Sequence, residues 1–162
     1  MIIKYRIATE CDAESIYRLQ VKTYIHKYHE DITLIRNIIG YNMSYVVETG
    51  CRGEGIIGYA LIHRIPNSLS PPELGRVEDC PLSEALCIHD FVIAQDAQRK
   101  GVGHMFLRYL IATLEYKSIT IVALPQAIPF WEKNKFVPVY LEDVQSYGES
   151  YGEHAQTMLF KP

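Results

Sequence analysis

Residues 86–103 read LCIHDFVIAQDAQRKGVG, and their order of apolar, polar and glycine residues is the strongest indication of the fold. Its first nine residues are mostly apolar, interrupted by His89 and Asp90, and they predict a buried strand. The next six residues are mostly polar and predict a turn, after which Gly101 and Gly103 begin a further segment. A strand, a glycine-bearing turn and a helix in this order predict an α/β protein.

The segment after the turn, 101–116, has the spacing of an amphipathic helix. Apolar positions recur at i, i+3, i+4 and i+7, which predicts that one stripe packs on a sheet. The residues of this predicted stripe are Val102, Met105, Phe106, Tyr109, Leu110 and Thr113.

The turn Gln98–Gly103 has the features of a phosphate site. A helix amino terminus exposes N–H groups and partial positive charge, and glycines let a ligand approach the backbone. Arg99 and Lys100 would add positive charge at its edge. The alternative is that the glycines only allow the helix to pack closely on the sheet, and that the basic residues only face solvent. The sequence contains no GxxxxGK[ST], and the turn lacks the first glycine of GxGxxG, which disfavours P-loop and dinucleotide sites.

Outward from this segment, β and α patterns continue along the chain. Seven strands are predicted at 2–7, 45–48, 56–64, 86–94, 119–124, 136–140 and 155–160. Helices are predicted at 32–39, 101–116 and 127–133, and a first helix, capped by Thr9 or Asp12, would carry Ile16, Leu19, Tyr24 and Ile25 on one stripe. The proline-containing segment 65–84 is too long for an ordinary connector and predicts a loop that covers a site. No repeat or linker interrupts the chain, so we expect one domain over 1–162.

Composition narrows the classes of function. The chain has 162 residues, 48% of them hydrophobic and 22% charged, with a formal net charge of -3. This balance disfavours disorder and nucleic-acid binding and favours a cationic small-molecule partner. No apolar run approaches the length of a membrane helix, and the amino terminus alternates like a strand rather than a signal peptide. We therefore expect a cytoplasmic protein with no membrane partner, and a homodimer is compatible with the sequence.

The cysteines and histidines do not predict a metal site. Cys11, Cys51, Cys80 and Cys87 form no CxxC pair, and the six histidines form no HExxH pair. We expect four reduced thiols and no metal.

Two landmarks resemble the GNAT superfamily of acetyl-CoA-dependent N-acetyltransferases. The family's central motif is [RQ]xxGx[GA] after a strand, and this chain has QRKGVG after CIHDFVIA. The second landmark is a strand, a short helix and an aromatic-rich turn, present here as ITIVALPQAIPFWEKNKFVPV. The resemblance implies a mixed α/β (α+β) fold with a splayed central sheet of about seven strands flanked by about four helices. Because His89 lies nine residues before Gln98, the motif is most similar to arylalkylamine N-acetyltransferases and their bacterial relatives.

The resemblance also implies how acetyl-CoA binds. Its pyrophosphate would rest on the backbone N–H groups of one loop, made by Gln98, Arg99, Lys100, Gly101, Val102 and Gly103, with His104. Its pantetheine arm would pair, as an additional strand does, with the main chain of Phe91, Val92 and Ile93.

Acetyl transfer to an amine also needs a base, because an alkylammonium with a pKa near 10 has no lone pair at neutral pH. His89 is the candidate, since an imidazole with an ordinary pKa near 6.5 accepts a proton. The alternative for His89 is a core histidine bonded to a carbonyl. Asp90 would face the opposite side of the sheet, as a second candidate base or as a substrate anchor.

Two positions depart from the family pattern. Many members have Phe-Tyr in the short helix, and that tyrosine is proposed to protonate the departing thiolate, but this chain has Phe130-Trp131. Indole cannot supply that proton, so we expect Trp131 to pack beside the pantetheine. Family members usually have a glycine before the phenylalanine that follows this helix. Here Lys135 stands in that place before Phe136, so Asn134 or Lys135 must form the turn instead.

The acceptor is expected to be a primary amine of a small molecule, such as an arylalkylamine, polyamine or aminoglycoside. The loop 65–84 and the segment 142–154 are acidic and would surround it; the second carries Glu142, Asp143, Tyr147, Glu149, Tyr151 and Glu153. Transfer would be direct, without a covalent enzyme intermediate. The alternatives are a protein amino-terminal or lysine acetyltransferase, and a non-catalytic acyl-CoA-binding sensor in which Trp131 marks a lost catalytic acid.

Overall fold

A computed structural model describes residues 2–50, 54–68, 71–78, 80–140 and 150–162. The helices are α1 (Ala13–Thr23), α2 (Ile32–Gly40), α3 (Val102–Thr113) and α4 (Ile128–Lys133). The strands are β1 (Ile3–Ile7), β2 (Tyr45–Thr49), β3 (Glu54–Ile65), β4 (Ala85–Ile93), β5 (Ser118–Ala123), β6 (Val137–Pro138) and β7 (Gln156–Phe160). The mixed α/β class with seven strands and four helices is confirmed.

All seven strands belong to one sheet, in the order β1-β2-β3-β4-β5-β7-β6. The pairs β1–β2, β2–β3, β5–β7 and β6–β7 are antiparallel. The pair β4–β5 is parallel, with a register that runs from Ala85↔Ser118 to Cys87↔Thr120. A parallel pair needs a crossover connection, and α3 lies in it.

The chain forms two compact units, one over Met1–Ile62 with Asp90–Leu114 and the other over His63–His89 with Glu115–Pro162. In the first unit, the ring of Phe106 on α3 stacks on Tyr5 of β1 and on Phe91 of β4, with centroids 5.4 Å apart in both pairs. Arg6 also donates to the carboxylates of Asp12 and Glu48, which ties β1 to β2 and to the turn before α1.

In the second unit, the core next to α4 is aromatic, and the end of α4 explains how the chain manages without a glycine. Asn134 caps the helix and Lys135 takes φ 71, in the left-handed region that favours glycine. Phe136 N–H donates to Trp131 O at 3.1 Å and Lys135 N–H to Glu132 O at 3.0 Å, the two bonds of a Schellman motif. The rings of Trp131 and Phe136 pack 5.0 Å apart across this turn.

Some local predictions are wrong. The buried side chains of α3 include Leu107, whereas Met105 is 46% exposed, because the helix directs Phe106 at the core and turns Met105 outward. Helix α1 ends at Thr23, so Tyr24 and Ile25 lie outside the stripe predicted for it. Strand β6 covers two residues rather than five, and Pro138 has no N–H to extend the ladder.

Candidate functional site

The predicted phosphate turn lies between β4 and α3 and has an unusual backbone. Arg99 and Gly101 take φ 60 and φ 79, both in the left-handed region, and Gly101 is the residue that precedes the first turn of α3. A Cβ added at Gly101 would meet no atom within 4 Å, so open space adjoins the turn. The side chain of Gln98 donates to Ile93 O at 2.8 Å and fastens the turn to the end of β4.

This geometry fits an anion. The first N–H groups of an α-helix have no intrahelical partner, and they point out of the amino terminus with a partial positive charge. Gly101 brings no side chain to that end, and the side chain of Val102 is buried, so both residues offer only backbone there. Arg99 and Lys100 are exposed and add positive charge.

The end of β4 approaches β3 closely. Val92 and Ile93 are buried, and Phe91 stacks on Phe106. A Cβ at Gly58 on β3 would lie 2.8 Å from Val92 O and 2.7 Å from Ile93 Cδ1, which is closer than side chains tolerate. Position 58 therefore has to be glycine for the two strands to keep this distance.

His89 on β4 forms a pair with His63 on β3. His63 Nε2 lies 3.2 Å from His89 Nδ1, and His63 Nδ1 lies 3.0 Å from Arg64 O. His63 is only 1% exposed, and burial, with the neighbouring His89, lowers the pKa of His63 from 6.5 to about 4. His63 is thus a neutral imidazole at neutral pH.

Asp90 is the centre of a separate buried network. Its carboxylate accepts hydrogen bonds from Gln20 Nε2 at 2.9 Å, Tyr24 OH at 2.9 Å and Tyr59 OH at 2.6 Å. Burial raises the pKa of Asp90, and the three donors act in the opposite direction by stabilising the charged form. The contact with Gln20 on α1 agrees with the predicted strand alternation. Because both carboxylate oxygens accept from these donors, the network favours a structural role over a base or substrate anchor.

Trp131 on α4 is a core residue, 6% exposed. Its ring packs edge-on against Phe130 at 5.2 Å and Phe136 at 5.0 Å. Little of the indole surface is left for a pantetheine, so that contact stays a prediction.

A cavity of about 250 Å³ lies in the second unit, beside His63. It is lined by the end of β3 and by the loop that follows, and its charged lining residues are Arg64, Glu73, Arg76 and Glu78. Arg76 pairs with Glu73 at 3.6 Å. Among the described lining residues, two are arginines and two are glutamates, and Asp79 of the same loop lies outside the described residues. Of the other acidic segment, Glu142, Asp143, Tyr147 and Glu149 lie outside the described residues.

The sequence matches the Acetyltransferase (GNAT) family over residues 13–136, which include β4, the turn, α3, α4 and both histidines. The chain belongs to the GNAT acetyltransferase family. No curated protein matches the sequence.

Solved structures share the fold at low identity. The loading GNATL domain of CurA from Lyngbya majuscula has a TM-score of 0.77 and 12% identity, over 99% of this chain and 98% of that one. Ard1 from Thermoplasma volcanium has a TM-score of 0.71 and 18% identity, over 98% and 97%. Rv2747 from Mycobacterium tuberculosis, solved in complex with CoA, has a TM-score of 0.71 and 14% identity, over 98% and 99%. At identities this low, the likeness supports the GNAT fold and does not identify a substrate.

Sequence reasoning missed His63, Tyr59 and Gln20. Strand register and helix packing bring the two histidines together, and they also bring Tyr59 and Gln20 to Asp90. The sequence has no local pattern for either. In the described part of the chain, no group of His, Cys, Asp or Glu side chains is arranged to hold a metal ion. None of the described helices has the length and apolar character needed to cross a bilayer.

Proposed function

We propose that this GNAT acetyltransferase transfers an acetyl group from acetyl-CoA to a primary amine of a small molecule, directly and without a covalent enzyme intermediate. The observation that carries the proposal is the turn at the start of α3, where Arg99 and Gly101 take left-handed backbone conformations beside open space. We further propose that the whole chain acts as one domain in the cytoplasm. An arylalkylamine-like subgroup remains a prediction.

Acetyl-CoA would supply the activated thioester and an anionic pyrophosphate. The N–H groups of Gly101, Val102 and Gly103 are the donors we assign to the pyrophosphate, with Arg99 and Lys100 at the edge. The main chain of Phe91 to Ile93 is assigned to the pantetheine, and a backbone N–H of β4 would stabilise the oxyanion. The side chains of Val92 and Ile93 are buried, so only their main-chain groups are offered.

His89 is the proposed base. Its ring takes one proton from the ammonium form of the acceptor, and the nitrogen lone pair that remains forms the new C–N bond as the C–S bond of the thioester breaks. After the attack the nitrogen still carries one excess proton, and this proton passes to the departing thiolate, directly or through solvent, because Trp131 has none to give. Asp90 is assigned to holding β4 against α1 and β3 through its three hydrogen bonds.

The cavity beside His63 is the proposed acceptor site. A volume of about 250 Å³ suits a small molecule better than a protein segment. Among the described lining residues, two arginines beside two glutamates favour an acceptor that carries negative as well as positive charge.

Thiol release from acetyl-CoA tests the function over a panel of small amines, amino acids, amino-terminal peptides and lysine peptides. Turnover with small amines supports the proposal, and turnover with peptides alone would support the protein acetyltransferase alternative. Calorimetry with acetyl-CoA separates the sensor: binding without turnover on any acceptor favours it, and absence of binding contradicts both enzyme and sensor.

Two variants test the assignment of roles. His89→Ala should lower kcat/KM by about 10² to 10⁴, the range for loss of a general base. Trp131→Phe should change mainly packing and raise KM modestly, and Trp131→Tyr tests whether a phenol hydroxyl raises kcat. If Trp131→Phe abolished kcat while His89→Ala left it unchanged, the assignment of roles would be wrong.

A further inference from the structure

We propose that His63 is a positioning residue that holds His89 in the tautomer with hydrogen on Nδ1, so that Nε2 of His89 carries the lone pair. The catalytic meaning of this inference rests on the proposed function, in which His89 is the base. The tautomer itself can be measured without any substrate.

The hydrogen bonds determine the direction of each donor. The carbonyl of Arg64 can only accept, so Nδ1 of His63, 3.0 Å away, carries the hydrogen. A neutral imidazole has one N–H, and Nε2 of His63 must therefore be an acceptor. That nitrogen lies 3.2 Å from Nδ1 of His89, which has to donate to it. The lone pair of neutral His89 is then on Nε2.

The arrangement depends on a neutral His63. Its near-complete burial, with 1% exposed, favours the uncharged ring, and the adjacent His89 adds repulsion to any second positive charge. When His89 takes a proton on Nε2, its Nδ1–H still donates to His63. His63 thus has the role that a third group has in other base-assisted sites, where it orients the base and selects its tautomer.

Rigid elements support the pair. His63 and His89 lie inside β3 and β4, neighbouring strands of the sheet, and not in a loop. The rings are 5.2 Å apart and inclined by 57°, a tilted arrangement suited to an in-plane bond between ring nitrogens. Without an acceptor at position 63, His89 would lose the hydrogen bond that favours hydrogen on Nδ1.

The test uses two substitutions at position 63. His63→Gln offers an amide oxygen where Nε2 was and can still accept from His89. His63→Leu fills the buried space without an acceptor. Nitrogen-15 NMR of the imidazoles at neutral pH, without substrate, should find His89 protonated on Nδ1 in the natural protein and in His63→Gln. The share of the Nδ1-protonated form should be smaller in His63→Leu.

Kinetics with the acceptor found for this enzyme provide the second readout. His63→Leu should lower kcat by about 10- to 100-fold with little change in the KM for acetyl-CoA, and His63→Gln should recover most of it. The inference is overturned if NMR finds His89 of the natural protein protonated on Nε2, or if Gln and Leu have equal effects on both readouts. Absence of turnover with every acceptor would contradict the proposed function alone, because the tautomer of His89 is measured without one.

Discussion

The buried His63 should make the fold sensitive to acid, and His63→Gln should remove that sensitivity. In the unfolded chain this histidine takes up a proton near its ordinary pKa of 6.5, whereas in the folded protein its pKa is about 4. Between these values the unfolded state binds one more proton than the folded state. The free energy of unfolding therefore falls as the pH falls through this range.

The size of the effect follows from the two pKa values. A difference of 6.5 against about 4 corresponds to about 3 kcal/mol, at roughly 1.4 kcal/mol for each unit of pKa. Full stability is present above pH 6.5, and most of the loss is complete at pH 4. Glutamine cannot be protonated in this range, so His63→Gln lacks the whole contribution.

Urea denaturation at several pH values between 7 and 4 measures this difference. The natural protein should lose about 3 kcal/mol more than His63→Gln over that range. His154→Gln, the same change at an exposed histidine, should follow the natural protein. If the unfolding free energy of the natural protein and of His63→Gln had the same pH dependence, the reasoning would be refuted, because His63 would then titrate alike in the folded and unfolded states.

Three further predictions concern the turn, the end of α4 and the buried carboxylate. Gly101→Ala should raise the KM for acetyl-CoA about 10-fold, because it places a Cβ at the proposed phosphate site. Gly50→Ala is the control: φ is 86 at Gly50 and 79 at Gly101, so it should lower the unfolding free energy by a similar amount and leave KM unchanged. Lys135→Gly should raise the unfolding free energy by about 1 kcal/mol, because φ is 71 at this position. Lys133→Gly, inside the helix, should lower it, and equal effects of the two changes in urea denaturation would contradict the Schellman assignment. Asp90→Asn should keep the three hydrogen bonds, because its amide oxygen can accept two and its amide nitrogen can donate to Tyr24. A raised carboxyl pKa makes the unfolding free energy fall as the pH rises above about 4, so Asp90→Asn should remove this fall; an unchanged pH dependence would exclude this account.

Much of the fold could be predicted because its determinants are local. In the described part of the chain, strand and helix periodicity located the seven strands and four α-helices, and the glycines of the turn marked the start of α3. The errors lie where local pattern and tertiary packing disagree. Met105 has the spacing of a buried residue, but the stacking of Phe106 between Tyr5 and Phe91 sets the rotation of α3.

The candidate site was predictable only in part, for a related reason. The turn Gln98–Gly103 is contiguous in sequence, so its residues could be named from the motif. His63 is separated from His89 by 26 positions, and only the register of β3 against β4 brings the two rings together. Likewise the charge of the cavity depends on which side chains of the loop face inward, and the sequence of 65–84 does not encode that in a periodic pattern.

Gly58 has a consequence for how substitutions in this protein are interpreted. It has no side chain to contact a substrate, yet a side chain there would collide with the carbonyl oxygen of Val92 and shift the main chain next to it. In a saturation mutagenesis screen scored for activity, position 58 should be as intolerant as a catalytic residue. Such a loss of activity would arise because β3 and β4 could no longer approach each other closely, and it would not indicate that residue 58 takes part in the chemistry.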